Sequence, residues 1–254
     1  MGGVSAAWRF LVPAWRQAWA SLLCASAYLS LAFGSRSLVG PWLLLGVLMT
    51  LIASGRLWPA AMGQIEPPRG WDLLIRVREL RLLAVAGLSF LFLFVLFLLV
   101  FVLVLCFAYA AAASGHGFVA SEISTWAPAV DSRGRWVVSV VAIVCTLAWT
   151  WAAMRVSLAA PATVAEGKVL MIATWPLTRG RAWAIALAQV LTLLVPAGLT
   201  ALLIAAHPAR GPAPLGLALA RGLVIAGLWL PLTIGLMGRL YSDLTSGQPE
   251  AALA

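Results

Sequence analysis

The residues best suited to bind a ligand are three cations, Lys168, Arg179 and Arg181, in a polar stretch that separates two long apolar segments. Gly180 lies between the arginines, and a helix is predicted to begin just after them. Cationic side chains and free backbone N–H groups together suit a phosphate or an anionic lipid headgroup. Positive charges beside membrane spans also set topology in any multi-pass protein. Headgroup binding and simple cytoplasmic flanking both remain open for these cations.

A second basic group, Arg76, Arg78 and Arg81, directly precedes the longest apolar segment. Asp72, Arg76 and Glu79 fall on one helical face, which predicts a short surface helix leading straight into the next span. We predict that these arginines, too, contact lipid headgroups or a partner protein.

Arg221 is a strongly ionised residue well inside a predicted span. Its side chain is expected to snorkel to the outer interface. Alternatively, with Pro196 and Pro231 kinking two spans, it lines a polar cavity for an anionic solute or contacts a partner.

Other candidates for chemistry are sparse. His116 and His207 are predicted on the same outer side, near Glu122 and Asp131, which suits either a metal site or ordinary polar loops. The sequence contains no nucleophile elbow, P-loop, HExxH motif, paired carboxylates or kinase signature. We therefore predict no catalytic, cofactor or metal site and a non-enzymatic protein.

Composition indicates that a membrane-embedded bundle positions these residues. The chain of 254 residues is 63% hydrophobic and 10% charged, which is too little polar surface to cover a soluble globule. The net charge of +9 lies beside apolar segments, so lipid headgroups are expected as partners and nucleic acid is not. The predicted fold class is all-α: a polytopic transmembrane bundle of about six spans in a single domain, with cytoplasmic amphipathic linker helices.

Six spans are predicted, at about residues 17–33, 38–53, 82–114, 136–154, 182–206 and 215–237. The third, residues 82–114, contains 33 residues and no charge. As a helix it extends roughly 50 Å, so it must tilt or project from the bilayer. Before the first span, the helical spacing of Trp8, Trp15 and Trp19 predicts an interfacial segment. Trp175 and Trp183 are predicted as further interfacial anchors.

The linkers carry two further patterns. Thr163 followed by Glu166 matches a capping box and predicts a helix that starts just after Pro161 and ends about three turns later at Trp175-Pro176. The stretch from residue 56 to 81 is weakly repeated from 155 to 181, and Gly-Arg-Leu-Trp at 55–58 resembles Gly-Arg-Leu-Tyr at 238–241. The repeats favour three helical hairpins joined by cytoplasmic linkers.

Charge asymmetry predicts the orientation. With both termini inside, twelve of the seventeen cations lie in cytoplasmic segments, as the positive-inside rule requires. We predict a multi-pass protein of a bacterial inner membrane with cytoplasmic N- and C-termini.

The segments SLAAPATVAEGKVLMIATWPLTRGRAW, GRLWPAAMGQ, RVRELRLL and GRLYSDL resemble uncharacterised six-span membrane proteins of alphaproteobacteria. These are distantly similar to the membrane domain attached to some bacterial glycerophosphodiester phosphodiesterases. The run from Trp175 to Gly180 is the most specific part. The resemblance implies a six-helix inner-membrane bundle, and no active-site residue is implied because the catalytic domain is not in the sequence.

The function predicted from these features is that of an accessory, structural or assembly subunit. It would contact anionic membrane lipids and other integral membrane proteins. The alternative is a small transporter or channel-like protein for an anionic or amphipathic solute, centred on Arg221.

Overall fold

A computed structural model describes residues 2–34, 39–64, 75–114, 120, 130–206 and 214–246. The described part is all-helical and contains no strand, which confirms the predicted class. The helices are α1 (Gly2–Gly34), α2 (Val39–Ala61), α3 (Val77–Ala113), α4 (Ser132–Val156), α5 (Ala159–Glu166), α6 (Ala182–Ala205), α7 (Leu215–Gly222) and α8 (Leu230–Ser246). A 3-10 turn spans Ile172–Thr174, and a π-helical segment, Leu223–Trp229, joins α7 to α8.

Several helical stretches are long and apolar enough to cross a membrane. In the described part of the chain these are Val39–Ala61, Val77–Ala113, Ser132–Glu166, Ala182–Ala205 and Leu215–Ser246. The first predicted span, about residues 17–33, is the second half of α1. The architecture is therefore consistent with a multi-pass membrane protein.

A backbone break divides α1. Ala18 has non-helical angles (φ −135°, ψ 23°), at the point where the sequence predicted a change from an interfacial segment to the first span. The segment before the break packs along α8, because a Cβ on Gly235 would lie 2.7 Å from the Phe10 ring and one on Gly3 3.6 Å from Leu236.

Several predicted spans are shorter than the helices that contain them, and three ends differ most. α2 continues beyond residue 53 and through Pro59, α3 begins at Val77 instead of 82, and α8 continues beyond 237 to Ser246. The charged residues at these ends do not stop the helices, since a helix keeps its own hydrogen bonds in water as well as in lipid.

The helix predicted between spans four and five was wrongly bounded. α5 begins before Pro161, which occupies its first turn where a backbone N–H is not needed, and ends at Glu166. The Thr163 hydroxyl accepts the N–H of Leu170 at 3.1 Å, so it stabilises the chain after the helix and does not cap its start. Gly167, with φ 65°, supplies the left-handed residue that ends the helix.

The chain forms two compact units, Met1–Ala86 with Ser157–Ala254, and Gly87–Val156. In the first unit, α1 packs on α2, α7, α8 and the π-helical segment. Small residues allow close approach: a Cβ on Gly46 would lie 2.9 Å from the Leu29 side chain, and one on Gly222 would overlap the Ser26 carbonyl.

The second unit contains most of α3 and all of α4. The indole N–H of Trp149 donates to the Leu93 carbonyl at 3.1 Å. Asp131 caps the start of α4 by accepting the N–H of Gly134 at 2.6 Å. The Arg155 guanidinium lies over the Trp151 ring, 4.7 Å from its centroid. Most other side chains of this unit face outward.

Candidate functional site

A proline in α2 creates an anchoring point for the start of α3. Pro59 has no N–H to donate to the Gly55 carbonyl four residues earlier. The Arg78 guanidinium donates to that carbonyl at 3.2 Å. The next side chain, Glu79, packs its carboxyl against Gly55, where any Cβ would overlap it, and accepts the Arg76 backbone N–H at 2.8 Å. These contacts fix Arg78 at the joint between the two helices.

Glu79, predicted to share one face of a short surface helix with Asp72 and Arg76, is only 4% exposed. Val77 is the first residue of α3, and Glu79 reaches back to the residue that precedes it. This is the carboxylate half of a capping box. Asp72, the predicted partner of Arg76, lies outside the described residues.

The same end of the first unit brings α3 close to α5 and α5 close to α8. A Cβ on Gly167 would lie 3.2 Å from Nη1 of Arg81. The Glu166 carboxylate lies beside the phenol of Tyr241 in α8. Two residues at the end of α5 therefore contact two other helices.

A cavity of about 300 Å³ lies between α3 and α5. We call it the α3–α5 pocket. Its lining residues are Arg78, Arg81, Thr163, Val164, Ala165, Glu166 and Gly167. α3 contributes two arginines to the lining, and α5 contributes Glu166 and its C-terminal turn, which we call the acceptor wall because the last carbonyls of a helix lack donors within it. The pocket thus offers hydrogen-bond donors on one side and acceptors on the other.

The two polar linkers predicted to share one side of the membrane meet at this pocket, as far as they are described. The related motifs at 55–58 and 238–241 also lie near this end. In both, the glycine and the aromatic residue three positions later are buried. A Cβ on Gly238 would lie 2.7 Å from that of Ala61, so each glycine allows close helix packing.

Of the six cations predicted to bind headgroups, Arg78 and Arg81 line the pocket. The Arg76 side chain is exposed. Lys168, Arg179 and Arg181 are also exposed and do not line the pocket. Arg181 precedes the first residue of α6, and Gly180 adopts a left-handed conformation, φ 74°.

A second proline-generated site involves Trp15, one of the predicted interfacial anchors. Gly227 lies in the π-helical segment, and Pro231 of α8, four residues later, lacks the N–H that a regular α-helix would pair with the Gly227 carbonyl. The Trp15 indole N–H donates to this carbonyl at 2.9 Å. A Cβ on Gly227 would lie 2.6 Å from Cζ2 of Trp15, so the indole fits directly over the glycine.

The other predicted anchors differ in exposure. Trp8, Trp19 and Trp175 are half-buried, and Trp183 is 57% exposed at the start of α6. Trp183 is therefore a suitable exposed control for substitutions of the packed Trp15.

Arg221 has a specific partner. Its Nη2 donates to the Leu203 carbonyl at 2.7 Å. Leu203 belongs to the last turn of α6, where carbonyls lack helical donors and the helix dipole is negative. Arg221 thus caps α6, a role that the sequence did not suggest.

The residues considered for a metal site, His116, His207 and Glu122, lie outside the described part of the chain. Among the described residues no group of three or more His, Cys, Asp or Glu is placed to hold a metal ion.

No family model matches the chain, and neither does a curated protein or a solved structure at a significant level.

Two features of these sites were not predicted from the sequence: the acceptor wall of the pocket, which α5 forms, and the contact of Trp15 with Gly227. Glycine followed by proline four residues later, inside a helix, is the signal that marks both orphaned carbonyls.

Proposed function

We propose that this protein is a multi-pass membrane protein that acts as an accessory or assembly subunit. It binds lipid headgroups at the α3–α5 pocket and another integral membrane protein along α3. The observation that carries the proposal is the exposure of α3, which has 37 residues and whose most apolar window has a mean hydropathy of 3.5 and no buried residue.

One face of α3 suits a neighbouring helix. Phe90, Phe94, Phe97 and Phe101 follow spacings of four, three and four, which is the seam of a left-handed helix pair. Phe90 stacks on Phe94 with centroids 5.8 Å apart, and Phe97 on Phe101 at 6.0 Å. Stacked rings form a stiff apolar ridge into which a partner helix can insert its side chains. We call this ridge the phenylalanine face.

Site-specific photocrosslinking tests the proposal. A benzophenone amino acid replaces Phe94, or Leu99 on the opposite face of the same helix as a matched control. In intact membranes we expect one discrete protein adduct from position 94 and only diffuse lipid adducts from position 99. Equal adduct patterns from both positions would contradict a specific partner on the phenylalanine face.

We place the pocket on the cytoplasmic side of a bacterial inner membrane, because the arginine-rich linkers favour that side. Cysteines at Gln64 and Lys168, in a background without native cysteines, should react with an impermeant maleimide only after permeabilisation. A cysteine at Ser114, beyond the other end of α3, should react in intact cells. Labelling of positions 64 and 168 from opposite sides would overturn the topology.

A small transporter is the second candidate. Among the described residues, the buried Nε of Arg221 and Oε1 of Gln189 have no hydrogen-bond partner, so unpaired polar atoms lie at two levels of the bundle. A cysteine at Gln189 that reacts with a water-soluble thiol reagent would support this candidate, and an unreactive one would exclude a water path at that level.

A further inference from the structure

The α3–α5 pocket combines two cations with an acceptor wall, which is unusual for a simple anion site. Arg81 is exposed and forms no ion pair among the described residues, so its guanidinium is available to a ligand. Arg78 is held by the Gly55 carbonyl at 3.2 Å, which fixes its positive charge at the lining of the pocket.

The opposite wall disfavours a purely anionic ligand. The Glu166 carboxylate lies beside the Tyr241 phenol, and its two oxygens can accept several hydrogen bonds. α5 ends beside it at Gly167, so its terminal carbonyls and the negative end of its dipole face the same region. A group bearing N–H donors and a positive charge is stabilised on this wall.

From this arrangement we infer that the pocket binds the phosphoethanolamine headgroup of a zwitterionic lipid, an inference that rests on the proposed headgroup binding. The phosphate lies against Arg78 and Arg81, and the ammonium donates to Glu166 and the end of α5. The cavity of about 300 Å³ is at the lower limit of sizes typical of small-molecule pockets, which suits a headgroup.

The position of the pocket on α3 favours a lipid over a soluble zwitterion. Leu80 and Leu83 flank Arg81 in the part of α3 that belongs to the first unit, and both are about half exposed. A headgroup held at Arg81 therefore leaves acyl chains free to lie on α3 within the hydrocarbon layer. A soluble ligand gains nothing from this surface.

Native mass spectrometry of the purified full chain tests the inference by titration with dioleoyl phosphatidylethanolamine, phosphatidylglycerol and phosphatidylcholine. We expect the ethanolamine lipid to bind about threefold or more tightly than the other two, a ratio within reach of one exposed charge pair. Phosphatidylcholine is disfavoured because its quaternary ammonium has no N–H to donate. Preference of the wild type for phosphatidylglycerol would overturn the inference.

Substitutions separate the two walls. Glu166→Gln keeps a polar side chain of the same size but removes the charge, and it should abolish the preference for ethanolamine over glycerol headgroups. Arg81→Gln should weaken both lipids, and Arg81→Lys should restore part of the binding. Lys168→Gln, a neighbouring cation outside the pocket, should change neither. A preference unaltered by Glu166→Gln would contradict the role of the acceptor wall.

The outcomes distinguish this inference from the proposed function. Lipid binding that depends on Arg81 but is indifferent to Glu166 would overturn the zwitterion and leave headgroup binding intact. Binding that is indifferent to Arg81 would overturn headgroup binding at this pocket. Displacement of the lipid by equimolar water-soluble phosphoethanolamine would assign the pocket to a soluble ligand and overturn the lipid assignment.

Discussion

Two helices of the first unit carry the same backbone defect in different surroundings. In α2, Pro59 deprives the Gly55 carbonyl of its helical donor, and Arg78 donates to it. Where the π-helical segment meets α8, Pro231 lacks the N–H that an α-helix would pair with the Gly227 carbonyl, and the Trp15 indole donates to this carbonyl. In each case a helix inserts a side chain against the glycine, where a Cβ would clash.

The difference between the two donors follows from where each carbonyl lies. Gly55 is close to the α3–α5 pocket, at an end rich in charged side chains. Gly227 lies near the middle of the stretch Leu215–Ser246, within apolar sequence. A guanidinium is costly to bury in hydrocarbon, whereas an indole supplies one N–H on a large apolar ring. The unsatisfied carbonyl is also more costly where water cannot reach it. The comparison predicts large effects at Gly227 and small ones at Gly55.

The largest effect is expected for Gly227→Val. The added side chain must displace the Trp15 ring, which combines overpacking with loss of the indole hydrogen bond. We expect the free energy of unfolding, measured by SDS titration in mild detergent, to fall by about 2–4 kcal/mol. The control is Gly198→Val in α6, where a Cβ meets nothing within 4 Å. Equal losses from both variants would show that the indole does not require the glycine.

Trp15→Phe should have the next largest effect. It keeps an aromatic ring on Gly227 but removes the donor, which leaves a carbonyl unpaired in apolar surroundings. We expect a loss of about 1–3 kcal/mol. Trp183→Phe, at a side chain that is 57% exposed, should change stability by less than about 0.5 kcal/mol. A loss at position 183 as large as that at position 15 would remove the distinction between a packed and a surface tryptophan.

A double-mutant cycle then isolates the orphaned carbonyl. Pro231→Ala restores an N–H at the position that an α-helix pairs with Gly227, so the indole donor is no longer essential. We expect Trp15→Phe to cost about 1 kcal/mol less in the Pro231→Ala background than in the wild type. Additive effects of the two substitutions would mean that Trp15 stabilises the bundle through packing alone.

The all-helical class and the membrane-spanning lengths of most helices were predictable because long apolar runs have few alternatives in lipid. Helix ends were less predictable. The sequence around residues 163–167 fits either a helix that starts at Thr163, as in a capping box, or a helix that ends at Gly167. The structure has the second, and the Thr163 hydroxyl accepts the N–H of Leu170. The predicted second span ended at residue 53, before Pro59. The helix continues through Pro59 because Arg78, a side chain distant in sequence, donates to the carbonyl that the proline leaves without a partner. No local pattern in the sequence reveals this compensation.

The candidate site was predictable only in part. Arg78 and Arg81 were predicted as ligand-binding cations because basic residues beside a long apolar segment suit headgroups. Glu166 was assigned to helix capping, because a lone carboxylate in a linker gives no sign of the helix that it will face. Its approach to the arginine wall depends on how α3 and α5 pack, and helix packing is not encoded in local periodicity.

The smallest effect is expected for Arg78→Met, which keeps the aliphatic stem but removes the donor to Gly55. Water and headgroups can reach this end of the first unit, so the carbonyl can find another donor, and we expect a loss below about 1 kcal/mol. Arg16→Met, at an exposed cation of α1, controls for the change of charge. Pro59→Ala restores a backbone donor for the Gly55 carbonyl. It should reduce the loss of unfolding free energy caused by Arg78→Met by only about a few tenths of a kcal/mol, because that loss is itself small. If Arg78→Met proves more costly than Trp15→Phe, solvent access is not what separates the two carbonyls, and the guanidinium must serve chiefly to hold α3 on α2.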